Sequence, residues 1–266
     1  MDTRLIADLV VCAFILFFGS SIGSFLNVVV YRLPNDLSVV FPSSFCPACQ
    51  TPLRAYDNIP VLGYLLLRGK CRNCREPISF RYPAVEAATA IAALSSVLWL
   101  GITVEAGALF IFFVLLLPAS LIDFDYQILP NKITYPGIVV GFGLSFVRSD
   151  ITWIDSGIGI LVGAGVLMAI RILGQAIFKK EAMGLGDVKL LALLGAFLGW
   201  EASLLSIFFG SILGTLYSIP ILIKEGRGGE RGGHMIPFGP FLAGGGLISA
   251  VMMKTIWWYY LPFAWS

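Results

Sequence analysis

The chain has 266 residues, of which 58% are hydrophobic and only 13% charged, against roughly 25% charged in a soluble globular domain. That composition excludes water as the main solvent, and a formal net charge of +2 excludes a nucleic-acid partner held by bulk electrostatics. The solvent it points to is a lipid bilayer, whose hydrocarbon of roughly 30 Å is crossed by a helix of about 20 apolar residues.

Apolar runs fall at 5–31, 83–100, 106–122, 133–147, 155–178, 188–200, 202–223 and 236–262, separated by short polar or Gly- and Pro-marked breaks. They predict an all-α polytopic membrane protein with about eight transmembrane helices. The first run is too long for a cleaved signal peptide, and Asp2 and Asp8 spoil the basic start such a peptide needs, so a retained span is expected. The 188–200 run is shorter than one crossing and is expected to tilt, re-enter or extend into its flanks.

Lys and Arg gather in four connections that share one side if there are eight spans. These are 32–82 (Arg32, Arg54, Arg68, Lys70, Arg72, Arg75, Arg81), 123–132 (Lys132), 179–189 (Lys179, Lys180, Lys189) and 224–235 (Lys224, Arg227, Arg231). Positive loops stay in the cytoplasm, so both termini are expected on the far side, where Trp257, Trp258, Tyr259 and Tyr260 suit an interfacial belt. Three parts follow: a first transmembrane helix over 1–31, a small cytoplasmic four-cysteine domain over 32–82 inserted after it, and a membrane-embedded domain over 83–266.

A segment as small as 32–82 needs a metal or disulfides to hold it. Cys46-Pro-Ala-Cys49 and Cys71-Arg-Asn-Cys74 are two CxxC pairs with the spacing of a structural four-thiolate zinc site, since each turn brings two sulfurs to one ion. Arg72 and Arg75 are expected to favour thiolates. Disulfides or a redox dithiol are the rival, and a reducing cytoplasm argues against them. Cys12, inside the first run, reads as a small buried hydrophobe with no role.

Carboxylates at membrane depth are costly and therefore functional candidates. Asp123 and Asp125 end the third run, and Asp187 follows Gly184-Leu185-Gly186 before the sixth. Two carboxyls on different helices, meeting at one depth, are the minimum equipment for water-mediated peptide hydrolysis by acid and base. Gly184 and Gly186 would let a substrate backbone approach closely. The competing reading of Asp187 is a helix N-cap. Residues two apart on a helix point about 200° apart, so only one of Asp123 and Asp125 can face a shared site, and periodicity does not say which.

The motifs together resemble those of the bacterial type IV prepilin peptidase family, the GxGD aspartic membrane proteases. The resemblance rests on Gly23-Ser24-Phe25-Leu26-Asn27-Val28-Val29 with Tyr31-Arg32-Leu33-Pro34, the four-cysteine loop with Asn58-Ile59-Pro60, Gly69-Lys70-Cys71 and Arg81-Tyr82-Pro83, Ile122-Asp123 with Leu129-Pro130-Asn131, Met183 to Lys189, and Ile236-Pro237-Phe238-Gly239-Pro240. It implies Asp123 and Asp187 as the catalytic pair, and cleavage of a prepilin or pseudopilin leader at the cytoplasmic face of the inner membrane. It also implies N-methylation of the new terminus with S-adenosylmethionine, for which the sequence offers no GxGxxG-type cofactor motif.

Remaining features have plainer readings. Gly226 to Gly233, with Glu230 and Arg231, reads as a flexible connector, His234 as structural or interfacial, and Gly244-Gly245-Gly246 as a site of close helix packing. Glu86 is expected to pair with Arg81 or a backbone group. A proton-coupled transporter with a regulatory zinc domain would use similar ingredients, but no internal hydropathy repeat supports it. A protease of the signal-peptide-peptidase type would need partner motifs that are not found.

Overall fold

The computed structural model of the protein describes residues 3–179, 183–228 and 237–260. Lys180, Glu230, Arg231, His234 and Ile236 lie outside the described residues, as do the side chains of Lys224, Arg227 and Trp257 to Tyr260. Every regular element among the described residues is helical, and β pairing is confined to two isolated bridges.

The long helices are α1 (Thr3–Arg32), α3 (Arg81–Leu100), α4 (Val104–Tyr126), α5 (Asn131–Leu144), α6 (Trp153–Phe178), α7 (Leu185–Gly228) and α8 (Gly239–Tyr260); a short α2 (Leu62–Leu66) lies in the segment between α1 and α3. Among the described residues, each of the eight apolar runs overlaps one of these helices. Five of the helices, α1, α3, α4, α6 and α7, are long and apolar enough to cross a bilayer. Two runs, 188–200 and 202–223, share α7, which extends into both flanks and breaks helical geometry at Gly199 (φ 81°, ψ 179°). The 133–147 run makes a helix of 14 residues, about 21 Å long and short of a full crossing.

The chain divides into two compact units, Met1–Val114 and Leu115–Ser266. In the first, α1 packs on α3 at van der Waals limits: a Cβ on Gly23 would stand 2.7 Å from the Glu86 Cα. Small residues at such a crossing let backbones meet, which matters in lipid because dispersion replaces the hydrophobic effect between helices. At the end of α1 the buried Arg32 guanidinium donates to the carbonyls of Ser38 (2.9 Å) and Pro42 (2.7 Å), tying down the loop that follows.

In the second unit α7 is the central element. Its first half carries Leu190, Leu191, Leu193, Leu194 and Ala196, all fully buried, which is why a sequence run apolar on every side belongs in a protein interior. α6 crosses it where Gly159 and Gly195 meet backbone to backbone, and α8 crosses it where Gly245 packs on Ser206 and Gly210, as expected for the glycine triplet. The break at Gly199 has its neighbouring carbonyls served by side chains: Ser156 Oγ donates to Ala196 O (2.8 Å) and Arg148 Nη1 to Phe197 O (2.8 Å), with Arg148 also paired to Asp150. In hydrocarbon a backbone carbonyl without such a partner costs several kcal/mol, roughly. A capping box of Thr152 and Asp155 starts α6.

Candidate functional sites: a four-thiol cluster and a pair of aspartates

The four cysteines of the CxxC pairs converge: their sulfurs all lie within 4.8 Å of one another. The Cys46–Cys74 and Cys49–Cys71 separations are 3.8 and 4.0 Å. A tetrahedron with metal–sulfur bonds of about 2.3 Å has edges of about 3.8 Å, so this donor set fits zinc. All four are free thiols.

Two copies of one local structure build the cluster. In the first, Cys46 N–H donates to Thr51 O, Gln50 N–H to Cys46 O and Leu53 N–H to Ser44 O; in the second, Cys71 donates to Glu76, Arg75 to Cys71 and Ile78 to Gly69. The bridges Phe45–Pro52 and Lys70–Pro77 close the two knuckles, and Gln50 and Arg75 both take positive φ. The sequence signal for this repeat is a shared C-x-x-C-x-x-P. Asn73 links the knuckles through Thr51 Oγ1 at 3.0 Å.

The electrostatics of the cluster calls for a cation. Hydrogen bonds from the Thr51 side chain and backbone hold the Cys49 thiol down to about 6. Those from Cys74 and Asn73 backbone groups lower Cys71. At Cys74 a backbone hydrogen bond from Glu76 opposes the shift, yet burial and the Cys71, Cys49 and Cys46 sulfurs push the thiol up to about 12. Four thiolates this close repel unless an ion joins them. The expected help from Arg72 takes another form: its guanidinium is engaged by Asp57 at 2.6–3.1 Å and lies over the Tyr56 ring, and that pairing holds the Asp57 carboxyl below its usual range.

Glu86 on α3 accepts a hydrogen bond from the Val61 backbone N–H at 2.7 Å, the backbone partner that was one of its two expected ones.

The aspartate pair lies in the second unit. Asp123, in the last turn of α4, is buried; Asp125 is exposed. Asp187 is half-buried in the first turn of α7, which begins at Leu185, so it sits inside the helix and not at the N-cap. Leu129, in the turn between α4 and α5, packs against Gly186, the residue before Asp187, and against Gly239, which bonds Asp123. A Cβ on Gly186 would stand 2.8 Å from the Leu129 Cβ, and one on Gly239 would stand 3.4 Å from the Leu129 Cδ1 and 2.5 Å from the Asp123 Oδ2. Gly184, the outer glycine of the motif, is exposed beside the Asp187 Oδ2.

Several supporting groups escaped the sequence reading. Lys189, read for topology and as the end of the Met183-to-Lys189 motif, donates to Asn131 Oδ1 at 2.7 Å and lies over the Tyr135 ring, fastening the start of α7 to the start of α5. Arg171 on α6 donates to Met183 O at 3.1 Å, just before the glycine motif. Gly239 N–H donates to Asp123 Oδ2 at 3.0 Å. Lys189 and Gly239 stood within motifs already quoted, although neither was given a role; nothing local announces Arg171.

Residues 17–100 match the profile described as Bacterial Peptidase A24 N-terminal domain, and residues 110–219 match the Type IV leader peptidase family. The Prepilin leader peptidase/N-methyltransferase of Pseudomonas aeruginosa is 38% identical over 284 residues, covering 96% of this chain and 94% of that protein. The protein of that name from Pseudomonas putida is 37% identical, with 90% of each chain covered. The one from Myxococcus xanthus is 40% identical over 218 residues, 82% of this chain and 65% of its own length. No solved structure matches.

Proposed function

We propose that this chain, which belongs to the type IV leader peptidase family, removes the leader of prepilins or pseudopilins with Asp123 and Asp187 as its catalytic pair and then N-methylates the new terminus with S-adenosylmethionine. The observation that carries the peptidase half is the turn at Leu129, which packs against Gly186 on one side and the Asp123–Gly239 contact on the other. Two carboxyls held within each other's field share one proton, because both cannot ionise easily. The ionised one draws a proton from water as it attacks the scissile carbonyl. The protonated one hydrogen-bonds the carbonyl oxygen and later donates to the leaving amine.

The Lys and Arg distribution supports eight passes in the inner membrane, with the aspartates and the 32–82 domain on the cytoplasmic side, where a basic leader would lie. Residues 83–266 then form the membrane-embedded peptidase domain. Zinc on Cys46, Cys49, Cys71 and Cys74 would hold the 32–82 domain together as a structural ion. The transporter alternative loses its support with the family assignment.

For the methyl donor, a cavity of about 730 Å³ in the first unit has the size of a cofactor site. Asn27, Asn58, Tyr64 and Glu86 line it, and so do Cys46 and Cys71, which makes the metal knuckles part of its wall.

The test is incubation of the purified protein with a prepilin, with products read by mass. Loss of the leader is expected, followed by the gain of one methyl group when S-adenosylmethionine is present. A protein that binds prepilin but leaves the leader intact overturns the peptidase reading. Chelation should also weaken S-adenosylmethionine binding, and unchanged affinity would separate the donor from that cavity.

A further inference from the structure

The Pro237-Phe238-Gly239-Pro240 turn has no part in the two-carboxyl scheme, yet it touches that scheme's buried member directly. Gly239 opens α8 and is itself buried. The first amides of a helix lack carbonyl partners within it. Here Pro240 has no N–H, and the amides of Phe241 and Leu242 both donate to Phe238 O, so the amide aimed outward from this turn is that of Gly239. It donates to Asp123 Oδ2 at 3.0 Å in a buried bond between residues remote in sequence. The start of a helix carries partial positive charge, which suits a carboxyl at that place.

The same geometry explains the residue type. A Cβ at position 239 would stand 2.5 Å from Asp123 Oδ2, closer than a Cβ approaches another atom, and 3.1 Å from its Cγ, so the carboxyl would have to move. What position 239 requires is the absence of a side chain.

We propose that Gly239 is a positioning residue for leader cleavage: its N–H fixes one oxygen of the Asp123 carboxyl, and its lack of a side chain makes room for it. The other oxygen, Oδ1, is thereby presented for the water or the scissile carbonyl. This rests on Asp123 being one of the two reacting carboxyls. Displacing a catalytic group by about 1 Å can cost on the order of 10²-fold in rate.

The experiment compares Gly239→Ala with Gly143→Ala and Gly165→Ala, two glycines in the same unit where an added Cβ meets nothing within 4 Å. Gly239→Ala is expected to lower kcat for prepilin cleavage about 10²-fold with KM unchanged, while both controls keep wild-type kcat. Asp123→Asn is assayed beside them. If it still cleaves, the two-carboxyl reading is wrong. If it is dead while Gly239→Ala is fully active, only the positioning role is overturned.

Thermal unfolding of Gly239→Ala with and without Asp123→Ala covers the case of a poorly folded variant. The alanine at 239 should destabilise the chain with Asp123 present and be nearly neutral once that carboxyl is gone. Equal destabilisation in both backgrounds overturns the contact.

Discussion

The four-thiol cluster and the aspartate pair are assembled by opposite means. Each cysteine knuckle closes within about ten residues through its own backbone hydrogen bonds, and the second knuckle repeats the first bond for bond. Asp123, by contrast, is held by an amide from another helix far along the chain, and Leu129, in a third segment, packs against Gly186, next to Asp187, and against Gly239. The knuckle is built from bonds between near neighbours in the chain. The aspartate site exists only once α4, α7 and α8 have packed, so its geometry is as good as the helix crossings that make it.

The largest effect should come from removing the metal proposed to unite the knuckles. Chelation, or Cys71→Ser, should open residues 32–82 to proteolysis, because binding of structural zinc supplies on the order of 10 kcal/mol or more of folding free energy. Mass spectrometry should find one zinc per chain; unchanged protease resistance with no bound metal would remove the zinc assignment.

At the aspartates, Asp123→Ala and Asp187→Ala should each lower leader cleavage by at least about 10²–10⁴-fold, the share expected of acid and base catalysis, with folding retained. Asp125→Ala, at an exposed position, should leave most of it. An inactive Asp125→Ala beside an active Asp123→Ala would reverse the assignment.

The packing of the second unit is probed at the break within α7. Arg148→Ala should destabilise the second unit by about 2–4 kcal/mol, since it strips a partner from the Phe197 carbonyl and leaves Asp150 without its guanidinium. Ser156→Ala should cost about 1 kcal/mol. If thermal unfolding shows no loss for either, the two side chains are not what satisfies the break at Gly199.

The smallest effect is expected at the Arg72–Asp57 pair on the knuckle surface. Arg72 holds the Asp57 carboxyl below its usual range, so the pair's contribution is present above the ordinary carboxylate pKa and lost as pH falls through the lowered one. Asp57→Asn should therefore flatten the acid end of a protease-resistance profile and change little at neutral pH. A loss of resistance at neutral pH would show a structural role beyond the charge.

Much of this was legible without coordinates. Apolar runs located the helices, since length and hydrophobicity are summed over neighbours in the chain. The CxxC spacing located the thiol cluster for the same reason, although the repeat that makes its knuckles superimposable went unread. Periodicity established that only one of Asp123 and Asp125 could serve a site, and stopped there.

The tertiary structure decided the rest: that Asp123 is the buried one, that the two runs 188–200 and 202–223 meet at a non-helical Gly199 whose neighbouring carbonyls are served by Ser156 and Arg148, and that Gly239 meets Asp123. A residue's identity and its close neighbours set local geometry through dihedral sterics and short hydrogen bonds. Which remote amide meets a given carboxyl depends on how whole helices cross, and that is a property of the packed chain.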